Sequence, residues 1–364
     1  MRTWLWAVAG CLVFMGCAWT AFWHAAALKF LQDYDRWVEM RRAEGYHITH
    51  DDLSPFGFPF AVKVSLSNLR LVAPQNAWEW RIERLDLATG PWAFQSLSFD
   101  AAGRHLILGL SQKTKLAMQF GGLKGQIAWH GRTLEHIDLQ LSALRGGWPP
   151  DHHMALSGGR VRLKLRKVGH PRPASLEATQ WVGPAPEYRL EGGLSLKNMT
   201  LSFLSDLPLG ADIARLETNF SLDQITLHKS FESFTQSLAF WHARNGTLRL
   251  LEGTLFWGDL KMQSYGDLSL DGALRPLGRL DTRLQGFETL IDGFVQKGFM
   301  KPRQAAFAKI ALGFQAETSP RDGRPVLRMP FLAHGGKISL GSVDLMTFPS
   351  LAALWNPQES SNGH

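Results

Sequence analysis

Residues 4–28 run WLWAVAGCLVFMGCAWTAFWHAAAL, twenty-five positions without a formal charge. As a helix rising about 1.5 Å per residue, that segment extends about 37 Å, enough to cross a hydrocarbon layer of about 30 Å with some tilt. Arg2 precedes it, and Trp4, Trp6, Trp19 and Trp23 stand near its two ends, where amphipathic rings favour the membrane interface. The segment reads as an uncleaved anchor over residues 1–28. The alternative is a cleaved signal peptide, whose apolar region usually spans about 7–15 residues before small residues such as Ala25, Ala26 and Ala27. A lipoprotein signal around Met15, Gly16 and Cys17 fits less well, because Phe14 stands where a small aliphatic residue belongs and the apolar run continues past the cysteine. Both cysteines of the chain, Cys11 and Cys17, lie in this segment. The remainder therefore needs neither a disulfide framework nor a cysteine zinc site.

After the apolar run, residues 29–45 keep a helical period. Phe30, Tyr34, Trp37, Val38 and Arg41 recur near 3.6 residues, and Gly45 is placed to end the helix. A juxtamembrane amphipathic helix is expected there. From Tyr46 the period changes to two. Residues 61–71, 78–87, 194–197 and 261–270 alternate apolar with polar side chains, as strands with one buried and one wet face do. Paired turn formers recur between them, among them Gly121-Gly122, Gly158-Gly159, Gly258-Asp259 and Asp271-Gly272. Many strands joined by short turns imply a long antiparallel meander over residues 46–353, in one sheet or two lobes. Composition agrees with a large packed domain: 45% of residues are hydrophobic and 20% charged, with 14 Trp and 22 Phe against 4 Tyr.

Helical spacing interrupts the strands twice. Phe231, Phe234, Leu238 and Trp241 mark a short helix near 230–242. Phe287, Leu290, Ile291, Phe294 and Val295 form a helical stripe, closed by Gly298. Pro302 then opens a further helix carrying Phe307, Ile310, Ala311 and Phe314. The expected fold is mainly β with a few α: long, curved antiparallel sheets, or a β-groove, covered by a helical hairpin near 287–315 and preceded by one transmembrane helix. Residues 354–364 read as a loose tail.

The order of short motifs resembles a known family. At the N-terminal side it runs anchor, helix ending at Gly45, Gly57-Phe58-Pro59-Phe60, then Trp78-Glu79-Trp80. At the C-terminal side it runs Asn245-Gly246, Phe256-Trp257-Gly258-Asp259, Gly266-Asp267, the helical hairpin, and His334-Gly335-Gly336 through Gly341. This order is similar to that of the bacterial family called domain of unknown function 2125 (DUF2125), and more distantly resembles AsmA-like envelope proteins. The resemblance implies a single-pass inner-membrane protein with its C-terminal domain in the periplasm. AsmA-like proteins have long curved sheets with an apolar groove and are associated with phospholipid traffic and envelope homeostasis. The resemblance carries over no catalytic residue. Gly57, Pro59, Trp78, Trp80, Gly246, Trp257, Gly258, Gly335 and Gly341 match as structural positions, the glycines and proline setting turns and bulges.

Catalytic motifs are absent: no Gly-x-Ser-x-Gly, no His-Glu-x-x-His, no phosphate-cradling Gly-x-x-x-x-Gly-Lys. The expectation is a protein that is not an enzyme and uses no cofactor. His47 with His50, Asp51 and Asp52, and the group His130, His136, His152 and His153, lack a recognised metal spacing and read as turn or surface histidines. Arg160, Arg162, Lys164 and Arg166 occupy one face of a strand whose other face is Val161, Leu163 and Leu165. That strip suits anionic lipid headgroups better than nucleic acid, which an exported chain seldom meets. The plainer reading is a solvated face that discourages edge pairing. Two roles remain. Either an apolar β-groove handles phospholipid or another acyl-chain ligand, or the sheet is a filled core and its surface binds envelope proteins.

Overall fold

The computed structural model describes residues 2–51, 53–74, 78–108, 115–131, 133–148, 152–168, 187–226, 234–320, 322–340, 343–347 and 350–351. The chain is mostly strand, paired antiparallel throughout the described ladders, and led by a long apolar helix. It divides into two compact units, Met1–Gly158 and Gly159–His364.

In the first unit, α1 (Arg2–Ala43) is a single helix. The anchor and the juxtamembrane helix read separately from the sequence are thus continuous, because no proline or glycine pair interrupts residues 25–35. Gly45, at φ 89°, turns the chain beyond its end. Strands β1 (His47–Thr49), β2 (Val62–Val72), β3 (Glu79–Gly90), β4 (Ala93–Asp100) and β5 (Gly103–Leu108) follow, then β6 (Lys115–Phe120), β7 (Gly122–His130) and β8 (Thr133–Trp148). Strand β2 sets the inner face. Val62, Val64 and Leu66 are almost fully buried while Lys63 is exposed. The spacing from Leu66 to Leu69 is three rather than two, yet both border the same cavity. Asn68 between them adopts φ 54°, a left-handed residue that asparagine tolerates and that rotates the strand by one position.

The sheet then forks. The first part of β3 pairs with β5 and its last part with β4, while β8 receives β7 along most of its length and β6 near its end. His105 lies at the fork, 1% exposed, with its Nε2 2.8 Å from the carbonyl of Ala101 and its ring packed near Trp80 and Phe120. Burial pushes its pKa below the ordinary histidine value. The unfolded chain protonates this residue near pH 6.5, whereas the folded chain resists until a lower pH, so the unfolded state binds more protons in between. Stability from urea titration is therefore expected to fall as pH is lowered from about 7.5 to about 5.5. His105→Phe should flatten that slope; an unchanged slope would remove His105 as its source.

The second unit begins within β9 (His152–Val168) and continues through β10 (Glu187–Leu201), β11 (Asp212–Ile225), α2 (Phe234–Ala243), β12 (Leu248–Trp257), β13 (Leu260–Leu270) and β14 (Pro276–Gln285). The helical hairpin α3 (Phe287–Gln296) and α4 (Pro302–Gln315) follows, then β15 (Glu317–Thr318), β16 (Pro325–His334), β17 (Lys337–Leu340) and β18 (Val343–Thr347). The hairpin packs on one face of the sheet: Phe287 and Ile291 of α3 and Ala305 of α4 bury with Leu260, Leu284 and Leu327 of β13, β14 and β16. The α3 stripe faces the sheet, but α4 does not use its large residues. Phe307, Ile310 and Phe314 are exposed, and Ala305, Ala308 and Leu312 pack inward. Small side chains let α4 approach closely, which puts the phenylalanines outside. The start of the α2 stripe, Phe231, lies outside the described residues, as do Asp52 and residues 354–364.

Candidate functional site

The structure leaves an apolar groove between α1 and the inner face of β2–β4. Its walls are built from the two periodicities of the sequence. On α1, Phe30, Tyr34, Trp37 and Met40 form a stripe down one side of the helix; on the sheet, Leu69, Leu87 and Phe94 are among the residues opposite. The helix is held at both ends. Towards the end of the apolar run, Trp23, Ala26 and Ala27 bury against Val62, and the Trp23 indole donates to the Ala61 carbonyl at 2.8 Å. Near its C-terminus, Val38 is buried and Arg42 donates to the Ile48 carbonyl at 3.2 Å. Between these points the helix stands off from the sheet. Trp37 and Met40 keep about half of their surface, at 44% and 50% exposed, although both line the groove.

The cavity measures about 1150 Å³, slightly above the range of about 300–1,000 Å³ of ordinary ligand sites. Its polar features are few: Thr89 and Ser96 on the sheet, and a larger group on the helix. Lys29 pairs with Asp33 at 2.7 Å, Arg36 with the same carboxylate at 3.2 Å, and Arg41 with Glu44 at 2.7 Å. The Tyr34 hydroxyl and Arg41 Nε are buried without a hydrogen-bond partner among the described residues. Two unpaired donors in an apolar wall are costly unless something accepts from them. On the outer face of the same strands, Glu79 takes hydrogen bonds from Arg70 and Arg81, which hold its carboxyl down at about pKa 2.

The residues singled out in the sequence fall elsewhere. Gly57, at φ 100°, and Pro59 form the turn before β2, and the Pro59 carbonyl accepts from the Trp19 indole at 3.1 Å. Trp78 packs beside Tyr46, and Trp80 beside His105. Gly246 lies against Trp241. The Trp257 indole donates to the Gly210 carbonyl at 3.0 Å, and Gly258 turns between β12 and β13. Gly335 and Gly336, at φ 58° and 78°, supply the two left-handed residues that a tight β-hairpin between β16 and β17 requires. Gly341 lies outside the described residues. Arg160, Arg162, Lys164 and Arg166 are exposed together on β9, with Leu165 buried behind them; Arg166 pairs with Glu191 at 2.8 Å. None of these residues borders the groove. Helical spacing marked its α1 wall, but its sheet wall looked like any strand interior. His50 packs against Tyr34, and among the described residues no three His, Cys, Asp or Glu side chains converge as a metal site.

A long apolar helix fit to span a membrane, followed by antiparallel sheet, defines a mainly β protein compatible with membrane anchoring. The family model described as "Uncharacterized protein conserved in bacteria (DUF2125)" matches residues 23–349. The chain belongs to that family. Comparison with curated proteins and with solved structures returned no match.

Proposed function

We propose that this protein is held in the inner membrane by α1, with its β-rich domain in the periplasm, and that the groove beneath α1 shelters the acyl part of a phospholipid or similar amphiphile. The observation that carries the reading is the groove itself: a large apolar cavity, walled on one side by the helix that leads directly out of the apolar segment. A lipid would cover the exposed parts of Trp37 and Met40, and its ester or headgroup oxygens would accept from the Tyr34 hydroxyl. The role is one of holding and passing, without catalysis and without a cofactor. The likeness of the motif order to AsmA-like envelope proteins points the same way. Retention of the helix is supported by Ala26 and Ala27, which pack against Val62 rather than lying open to a signal peptidase. The exposed basic face of β9 is the part of the second unit suited to anionic headgroups.

The test uses the full chain in nanodiscs containing a phosphatidylethanolamine with a photoactivatable group on its acyl chain. Labelling is expected within residues 30–40 of α1 and within β2–β4, and Leu87→Trp, which fills the groove, should reduce it about tenfold, the signature of losing about 1.4 kcal/mol of binding. Labelling confined to residues 4–22 would overturn the reading. The assembly role draws its own support from the exposed stripe of Phe307, Ile310 and Phe314 on α4, and it becomes the better account if the groove stays unlabelled.

A further inference from the structure

Where α1 meets the domain fixes how far the domain stands from the bilayer. The first hydrogen bond from the helix to the domain is made by Trp19, to the Pro59 carbonyl. Trp19 and Trp23 both lie inside the uncharged run of residues 4–28, the stretch of which about 20 residues are needed to cross a hydrocarbon layer of about 30 Å. A helix that crosses the membrane therefore still has Trp19 at the edge of the hydrocarbon when the domain begins. Whatever part of the domain lies level with Trp19 and Trp23 meets lipid too.

That part is aromatic and uncharged. Phe58 packs edge-on to Trp23, with ring centres 5.6 Å apart, and Trp92 lies 5.7 Å from Trp19. Neither ring is thereby buried: Phe58 is 51% exposed, Trp92 64%, and Phe60 in the same turn 76%. Phe22 of the helix adds a further exposed ring beside Trp19. The loops that carry these rings hold no formal charge across residues 53–62 and 87–99, although the chain as a whole is 20% charged. Large rings exposed together on charge-free loops are unfavourable in water and favourable at the headgroup level, where aromatic belts sit.

We propose that the turn at residues 57–60 and the Trp92 hairpin between β3 and β4 form a second membrane contact, an aromatic collar beside α1 inserted into the leaflet from which the helix emerges. The ligand is the lipid surface itself. The collar fixes the tilt and height of the first unit on the bilayer instead of leaving it to swing on a single helix. It stands whether or not the groove holds a lipid, since it rests on where the uncharged run of α1 meets the domain and on rings outside the groove.

The experiment uses the full chain with Cys11→Ala and Cys17→Ala, carrying one new cysteine at a time: Phe60→Cys, Trp92→Cys, or Arg104→Cys as a control on an exposed β5 side chain. Each is labelled with an environment-sensitive fluorophore and placed in nanodiscs of phosphatidylethanolamine and phosphatidylglycerol. Lipids spin-labelled high on the acyl chain are expected to quench the labels at positions 60 and 92 about twofold or more, as groups at the interface should be, and to leave position 104 unchanged. Iodide in the water should show the reverse order. Far-UV circular dichroism verifies that all three chains are folded. Labels at 60 and 92 that respond to iodide as fully as the control, and not to spin-labelled lipid, would overturn the collar.

Discussion

Trp23→Ala is expected to release α1 from the sheet while leaving the strands paired. The side chain is 5% exposed, packs with Ala26, Ala27 and Val62, and donates its indole N–H to the Ala61 carbonyl. Truncating a buried aromatic of this kind costs about 3–5 kcal/mol, of which the lost hydrogen bond accounts for about 1 kcal/mol. The cost falls on the buried contact that ties the middle of the helix to the start of β2. Hydrogen exchange of the full chain in nanodiscs should therefore show residues 29–43 losing about two to four orders of magnitude in protection, the exchange equivalent of that free energy. Trp23→Phe keeps most of the packing and should lose about one order or less. Unchanged exchange in Trp23→Ala would mean that the other contacts of α1, at Trp19, Tyr34, Val38 and Arg42, hold the helix without it. Because α1 is one wall of the groove, lipid labelling at β2–β4 should fall in the same variant.

Gly246→Val is expected to be strongly destabilising to the second unit. A Cβ at this position would lie 2.2 Å from the Trp241 ring, so any side chain displaces the indole. Displacement also breaks its hydrogen bond to the Asp223 carbonyl, 2.7 Å long, and with it the tie between α2 and the end of β11. Overpacking typically costs about 1–3 kcal/mol, and loss of the buried hydrogen bond adds about 1 kcal/mol, giving roughly 2–4 kcal/mol. Gly246→Ala should share most of that loss, since the clash begins at Cβ. Adding Trp241→Ala removes the clashing ring, so the double variant should be less destabilised than the sum of the two single ones in thermal unfolding. Strict additivity would show that the ring and the glycine do not meet.

Both predictions depend on contacts between residues far apart in the chain, and this is where the sequence ran out. Val62, Val64 and Leu66 were readable as an inward face because strand alternation is a local property. The α3 stripe was readable for the same reason, and so was the helix ending before Gly45. His105 was not: nothing in its neighbours distinguishes it from the twelve other histidines, and it is buried only because β3 forks between two partner strands. Trp257 and Gly258 stood out in the motif order, but their roles, an indole bonded to Gly210 and a hairpin turn, needed the folded strands.

Helix α4 marks the boundary between the two kinds of information. Its phenylalanines are the largest apolar residues it carries, yet Ala305, Ala308 and Leu312 face the core, because the choice depends on how closely α3 and β16 approach. The same holds for the groove. The sequence by itself determined an apolar N-terminal helix long enough to span a membrane, a mainly antiparallel β chain behind it, and the amphipathic face of residues 30–41, since each follows from composition and period. Only the tertiary structure decided that this helix continues unbroken into the domain, touches it tightly at Ala26 and Ala27, and then stands away from β2–β4. Periodicity tells a residue which side is apolar; the distance to whatever lies opposite is set by side chains elsewhere, and that distance separates a filled core from an open groove.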